Sequence, residues 1–416
     1  MKNVDLMFDS IFNEKVGKNK FLFERFNKIY DLPKVTSNCD VSKELFEYCM
    51  KKDYFILLLL YDEQGRVFFD RNMSNTLSWG LPGGSIRNNE SFNQAITRLA
   101  KNISDDILIG NVEPITYVEN EYKYKDRKKT HYGLGFIARV RNLKELDLGK
   151  IPGGFINVNK EEFKYINRLA SKKMVELFMK RYSEIVDKSR NSFQDHEITV
   201  NENMNKRYAF HRNIVKKFIL TDKRKKKKEF KNIISNYIGN ANSIIDVSCG
   251  DDSFIFNLAR EKNISLVVGN DISWSQVESL NTTFQEVIFT NHNASSLPFK
   301  TQAFDVSYIS NTLHHMPNKE TLINTLESMY EISKKIIIVE IENPQLTGGF
   351  AKWLNKNYFI GFLKDVGGAY LSEDDFKTII NNIFSNRAEI KFSKFENIMG
   401  KYFIAVIEKK EDKNVK

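Results

Sequence analysis

The chain has 416 residues and a formal net charge of +10, with 28% charged and 41% apolar side chains. That balance excludes a disordered or low-complexity protein and allows two hydrophobic cores. Three cysteines at no ligand spacing (Cys39, Cys49, Cys249) and scattered histidines exclude a disulfide framework and point to no metal site, a usage that fits a reducing, cytoplasmic setting.

Residues 1–49 read as a charged, mainly helical segment, with Phe8, Ile11 and Phe12 at helical spacing and Phe21, Phe23, Phe26 and Ile29 less regular. No signal-peptide pattern opens the chain, and the longest apolar run, Tyr54 to Tyr61, is far too short for a membrane helix. It reads as a buried strand, turning at Asp62-Glu63-Gln64-Gly65 into a return strand at Val67-Phe68-Phe69. Trp79-Gly80-Leu81-Pro82-Gly83-Gly84-Ser85 follows, with Glu90 six residues after Gly84 and Arg98 eight further on; Tyr132 to Val140 is another strand.

The tryptophan–Leu–Pro–Gly–Gly entry, the glutamate and the arginine resemble a Nudix domain, an α+β fold, over residues 50–185. The resemblance implies a loop–helix that holds divalent metal with acids just past the arginine, since a hard cation bound to phosphates wants clustered carboxylates. Leu99, Asn102 and Ile103 stand at those positions, Lys101 adds the opposite charge, and Asp105 and Asp106 come a turn late. The expectation is a Nudix-like module without hydrolysis, its cleft lined by Trp79 and Phe92; the rival is a rebuilt site using Glu90, Asp105 and Asp106.

Residues 186–240 form a linker with a basic helical segment. Asn191 to Asn205 is polar loop, and Tyr208 to Tyr237 reads as one or two helices. Between Arg212 and Lys228 lie nine Lys or Arg against one acid, Asp222, with Ile214, Val215, Phe218, Ile219 and Leu220 interleaved. Such a run is commonly the solvated face of a helix, and it lacks the aromatic stackers of single-strand recognition, which disfavours nucleic acid without closing that reading.

From Ile244 the pattern changes. Ile244-Ile245-Asp246-Val247-Ser248-Cys249-Gly250-Asp251-Asp252-Ser253-Phe254 gives a buried strand, a small-residue turn and a helix start. Ser265 to Gly269 is a second strand ending at Asn270-Asp271, an acid placed for ribose hydroxyls. Val287 to Phe289, Asn291-His292-Asn293-Ala294, Phe304 to Ile309 and Ser310-Asn311-Thr312-Leu313-His314-His315 complete the series. A fifth strand at Lys335 to Glu340 carries Glu340 and, beyond it, Glu342 toward the pocket mouth. Gly367-Gly368 marks a turn, Ser372 to Asp375 a capped helix, and Ala388 to Phe395 with Tyr402 to Glu408 a closing hairpin.

This order of motifs resembles the class I S-adenosylmethionine-dependent methyltransferases, especially those acting on quinone precursors and other small molecules, over residues 241–410, with 411–416 a charged tail. The resemblance implies an α/β Rossmann-like seven-stranded sheet, S-adenosylmethionine as cofactor and a small-molecule acceptor. Asp246, Ser248, Gly250 and Asp252 then border the methionine part, Ser248 and Asp252 replacing two glycines of the usual loop. Asp271 takes the ribose, Ile272 packs on the adenine, and Asn293 with the Ala294 backbone reads its edge. Asn311 lies in the loop after the fourth strand, and His314 or His315 is the candidate base, His314 first, against a capping or packing role. Two other readings stay open: a non-catalytic cofactor-binding regulator, suggested by Ser248 and Asp252, and an RNA methyltransferase, suggested by the basic run. The latter wants an Asn/Asp-Pro-Pro-Tyr tetrapeptide where this chain has Ser310-Asn311-Thr312-Leu313.

Overall fold

The structure, a computed structural model, describes residues 23–52, 54–71, 79–87, 90–151, 153–158, 165–166, 169–181, 223–281, 283–284, 286–343, 346, 349–354, 356–357, 370–397 and 400–410. The helical spacing at Phe8 to Phe21, the polar loop from Asn191, the basic run up to Asp222, Gly367-Gly368 and the tail from 411 lie outside them. The chain divides into two compact units, Met1–Asn191 and Ser192–Lys416.

In the first unit a helix at 23–29 (α1) precedes strand β1 (Lys34–Asp40), helix α2 (Lys43–Met50) and strands β2 (Tyr54–Tyr61), β3 (Val67–Arg71), β4 (Trp79–Gly80) and β5 (Gly83–Ser85). Helix α3 (Phe92–Lys101), strands β6 (Ile109–Tyr124), β7 (Arg127–Val140) and β8 (Gly153–Ile156) and helix α4 (Leu169–Lys180) follow. The strands form one eight-stranded sheet in the order β1-β6-β7-β2-β3-β4, with β5 beside β2 and β8 beside β3. Strand β2 is apolar throughout because both its faces are covered, and every residue from Ile56 to Tyr61 is buried. Leu57, Leu59 and Tyr61 meet Met174, Val175 and Phe178 of α4. On the opposite face, Phe26 of α1 meets Phe92 of α3 edge-on at 5.0 Å and Phe136 of β7 at 6.1 Å. The turn after β2 is held by Asp62, whose carboxylate accepts from the Gln64 and Arg66 amides and from Arg66 Nε.

The mainly helical reading of the first 49 residues is corrected at Lys34–Asp40, which is a strand running parallel to β6 from Lys34 opposite Tyr117 to Asp40 opposite Lys123. Val35 and Ser37 are buried between exposed neighbours, a period of two that only a strand satisfies, and β6 gains the backbone partners its edge would otherwise lack.

In the second unit helix α5 (Lys223–Ile238) leads into β9 (Ser243–Asp246), α6 (Phe254–Glu261), β10 (Leu266–Asn270), α7 (Trp274–Asn281), β11 (Ile288–Thr290) and β12 (Phe304–Ser310). Then come α8 (Lys319–Ile332), β13 (Ser333–Ile341), α9 (Gly349–Leu354), α10 (Glu373–Phe384, capped by Ser372), β14 (Ala388–Asn397) and β15 (Gly400–Lys409). The seven strands lie in the order β11-β10-β9-β12-β13-β15-β14. Neighbours from β11 to β13 are parallel, and the β14–β15 hairpin is antiparallel to β13 and within itself. The chain therefore steps outward from β9 to β11 and returns to β12 on the other side of β9. A crevice opens at the carboxyl ends of β9 and β12, where such a sheet binds ligands.

The packing of α6 on this sheet rests on one absent side chain. Phe256, on α6, meets Phe284 at 5.5 Å and Phe289 at 5.3 Å. A Cβ on Gly269 would lie 2.7 Å from both the Phe256 and the Phe289 ring. Gly269→Ala is therefore expected to destabilise the second unit by about 1–3 kcal/mol, read as a lower urea midpoint; an unchanged midpoint would show that the rings move aside freely.

Candidate functional site

At the end of β9 the backbone turns through Val247–Ser253, and each step of the turn is tied. The Val247 amide donates to Tyr308 O and the Cys249 amide to Asn270 O, both at 2.9 Å. Gly250 has φ +53°, and a Cβ there would come within 3.1 Å of Gln276 Oε1, so both conformation and space call for glycine. Its amide donates to Asp271 Oδ2 at 2.8 Å, while Asp271 Oδ1 accepts from the Ser273 amide at 2.9 Å. Asp252 Oδ1 accepts from the Phe254 amide at 3.0 Å at the start of α6.

Two residues that sequence reasoning passed over fix this arrangement. Asn270 is fully buried; its Nδ2 donates to Val247 O and His292 O, and its Oδ1 accepts from Thr290 Oγ1 and the His292 amide, all at 2.9–3.0 Å. Asn291 Nδ2 donates to the carbonyls of Asp271 and Ile272, both at 2.8 Å. The available signal was the polar residue ending each of two apolar strands.

Asp246 is buried, 5% exposed, and its Oδ1 has no hydrogen-bond partner among the described residues. Burial raises its pKa well above the ordinary carboxylate value, and the charge of Asp252 raises it further. Burial likewise pushes the Cys249 thiol up, which keeps it protonated and inert. An unpartnered buried carboxylate oxygen beside a second acid favours a cationic ligand.

Along the crevice lies a cavity of about 520 Å³. Asp252 and Asn311 line it, with Tyr308 and Ser310 of β12, Phe254 of α6, Phe230 of α5, and Phe395 and Tyr402 from the β14–β15 hairpin. Phe230 sits 5.2 Å from Phe254 and 5.1 Å from Phe395, which makes one wall aromatic. Asn311 has φ +50° and donates its amide to Val339 O at 2.9 Å. Asp246, Ser248, Gly250 and Asp271 lie together behind the turn, with the Ser248 side chain bonded to Asp271. Ile272 is half-buried, and Asn293 caps the short turn Ala294–Ser296, its Oδ1 accepting from the Ser295 amide and Oγ.

His314 is placed differently from a free base. Its ring is buried, stacked on Tyr370 at 4.8 Å and 9°, with Nδ1 2.7 Å from Glu340 Oε1, and it is not among the residues lining the cavity. Glu340, expected toward the pocket mouth, is 1% exposed and accepts from the Leu313 and Ile341 amides. Burial alone would raise its pKa, but the nearby His314 and these hydrogen bonds outweigh that and lower it. In the first unit, Trp79 packs on Phe69 at 5.7 Å and Tyr165 at 5.3 Å, whereas Phe92 packs on Phe26 at the other face of the sheet. The expected cleft between Trp79 and Phe92 does not form, because Trp79 packs against the core under α4 whereas Phe92 opens α3, which covers the other face of the sheet.

The model of the family described as "Methyltransferase domain" matches residues 244–335. That segment is thus similar to methyltransferase domains, and the comparisons support the S-adenosylmethionine-dependent class for it. A ubiquinone/menaquinone biosynthesis C-methyltransferase UbiE of Campylobacter jejuni is 24% identical over 148 residues, covering 34% of this chain and 63% of that relative. A demethylmenaquinone methyltransferase of Lactococcus lactis is 27% identical over 110 residues, covering 25% and 44%. The chain thus spans less than two thirds of the length of these curated relatives. Among solved structures, the plantazolicin methyltransferase BpumL in complex with a monoazolic desmethylPZN analog and SAH is 13% identical, covers 52% of this chain and 99% of its own, and gives a TM-score of 0.37.

The titration of Asp246 gives a test of the site's charge. Its folded pKa lies above its unfolded one, so the stability it withholds is absent in acid, grows as pH rises through the folded value and is complete above it. Asp246→Asn should stabilise the ligand-free chain by about 1–3 kcal/mol at neutral pH, with the gain vanishing in acid. Glu340 runs oppositely, its contribution being lost as pH falls through its lowered pKa. Urea titrations across pH check this; a variant no more stable than the parent at neutral pH would mean Asp246 is not held as an uncompensated charge.

Proposed function

We propose that the unit Ser192–Lys416 binds S-adenosylmethionine and directs its methyl group to a small aromatic acceptor in the cavity beside Phe254, Phe395 and Tyr402. The single observation that carries this reading is the unpartnered, buried Asp246 Oδ1 at the end of β9, an open acceptor at the switch point of the sheet whose carboxylate form a cationic ligand would favour. The residues present suit the cofactor: Asp246 and Asp252 for its positive charge, Gly250 where backbone must come close, and Asp271 for the ribose. With two amides and the Ser248 side chain bonded to it, the Asp271 carboxylate keeps one of its four acceptor sites for a hydroxyl. Asn293 Oδ1 is already engaged with Ser295, which leaves the Ala294 backbone to read an adenine edge. When bound, the cofactor supplies a methyl group already activated on a sulfonium, so the chain's task is to orient the acceptor and exclude water.

A cavity of about 520 Å³ with an aromatic wall suits a planar small molecule. The related quinone-precursor methyltransferases support the same choice. We assign His314 a positioning role: with Nδ1 tied to Glu340, it holds the turn that follows Asn311. A non-catalytic cofactor sensor and an RNA methyltransferase remain the rivals, and activity decides among the three.

Calorimetry should show S-adenosylmethionine binding to the full chain, with Asp271→Ala weakening it by about 1.5–3 kcal/mol. Radiolabelled methyl transfer should then appear with small-molecule fractions and not with RNA. Binding without transfer to either would favour the sensor, and unchanged affinity in Asp271→Ala would displace the ribose assignment. His314→Gln should lower turnover while the pH–rate profile keeps its shape; disappearance of an ionisation near the imidazole range would make His314 the base after all.

For the unit Met1–Asn191 we infer a Nudix-like scaffold without hydrolysis. Glu90 supports this, since its carboxylate is occupied by Arg98 Nε at 2.5 Å, Arg98 Nη2 at 2.9 Å and the Arg87 amide at 2.7 Å. Leu99, at an expected acid position, is buried in the core. Nucleoside diphosphate compounds with Mg²⁺ or Mn²⁺ should give no phosphate release above background. Release that disappears in Glu90→Gln would establish the rebuilt site instead.

A further inference from the structure

The first unit has a second cavity, of about 770 Å³, unrelated to the expected cleft. Four adjacent strands build its floor. Tyr54 of β2 stands opposite Tyr132 of β7, Tyr132 opposite Glu119 of β6, and Tyr117 of β6 opposite Lys34 of β1. Phe23 of α1 closes it from above, 5.3 Å from the Tyr54 ring and 6.1 Å from the Tyr117 ring. Lys128, Lys129 and Thr130 of β7 border one end.

Three features mark this as more than a gap in packing. Tyr132 keeps 40% of its surface exposed at the cavity although an apolar ring in that row could be covered by its neighbours. The Tyr117 hydroxyl is buried and has no hydrogen-bond partner among the described residues, an arrangement that buried polar groups ordinarily avoid. The charges are also unevenly paired. Lys34 is neutralised by Glu119 at 2.7 Å, whereas Lys128 approaches Glu121 only to 3.6 Å and stays 61% exposed, so its ammonium is accessible at the cavity rim. Aromatic faces at one end and a cationic rim at the other match a ligand that is flat and apolar on one side and anionic on the other.

We propose that this cavity binds a planar aromatic ring carrying an anionic group, the ring against Tyr54, Tyr117 and Tyr132 and the anion at Lys128 and Lys129. Nucleotides and aromatic carboxylates share this chemistry. The proposal is independent of methyl transfer and of the Nudix-like reading, since it uses neither Asp271 nor Glu90.

The test is calorimetry on the full chain with adenosine monophosphate, 4-hydroxybenzoate and inorganic phosphate as separate probes. One of the two aromatic anions should bind and phosphate alone should not, and which one binds identifies the source. Tyr132→Ala should weaken that binding roughly tenfold, and Lys128→Glu should weaken it and flatten its salt dependence. Both side chains are exposed, so folding should survive, and an unchanged urea unfolding curve in each variant checks it. The proposal is overturned if neither aromatic anion binds at millimolar concentration, or if binding is equally tight in both variants. It is also overturned if adenosine monophosphate binding is lost in Asp271→Ala and kept in Tyr132→Ala, which would place the probe in the crevice of the other unit.

Discussion

The buried amide of Asn270 holds the carboxyl end of the second unit's sheet together. It makes two bonds as donor and two as acceptor, and through them joins the ends of β9, β10 and β11. In a dry interior, such bonds are stronger than in water, and any one left unmade would be costly. With the three ends locked, the turn from Val247 to Ser253 has fixed anchors at both sides. Gly250 can then hold its left-handed conformation and present its amide to Asp271. The amino ends of the strands are fixed separately: Asp305 accepts from the Asn242 and Ser243 amides and pairs with Lys334 at 2.8 Å. A sheet tied at both rims gives the crevice between β9 and β12 a shape that does not depend on a ligand.

Against that rigidity stands an unfavourable charge distribution. Asp246, Asp252 and Asp271 lie close enough for their charges to reinforce one another around the turn. Asp271 is compensated by two backbone amides and the Ser248 side chain, whereas Asp246 keeps one bare oxygen. Substituting Ser248 for a glycine therefore has a visible use, as a donor to Asp271. Asp252 does two things at once, capping the first turn of α6 and deepening the negative field at Asp246.

Much of this was legible in the chain because hydrophobic runs and small-residue turns are local. The seven strands, the turn at Gly250, the hairpin at Asp62 and the cap at Ser372 each follow from a few adjacent residues. What was not legible depends on partners far along the chain. Asn270 bonds to groups more than twenty residues away on either side, and His314 finds Glu340 twenty-six residues on. Nothing at His314 itself distinguishes a base at a pocket from a ring clamped under Tyr370. Lys34–Asp40 failed for a related reason, since its strand is elicited by the open edge of β6 and its own sequence is short and polar. Trp79 and Phe92 were paired in sequence by a motif and separated in space because strand β4 and helix α3 pack into different layers.

The β14–β15 hairpin has a consequence for how the crevice can change. Because β15 runs antiparallel beside β13, its first residues return to the end of the sheet where Ile341 meets Tyr402, and the hairpin delivers Phe395, Asn397 and Tyr402 to the cavity wall. None of the three belongs to the anchoring network around Asn270. Substitution in that hairpin can reshape one wall while the floor and the turn at Gly250 stay as they are. The architecture thus separates an anchored floor from a peripheral wall, and the shape of the cavity can change within a short stretch of chain at the edge of the sheet.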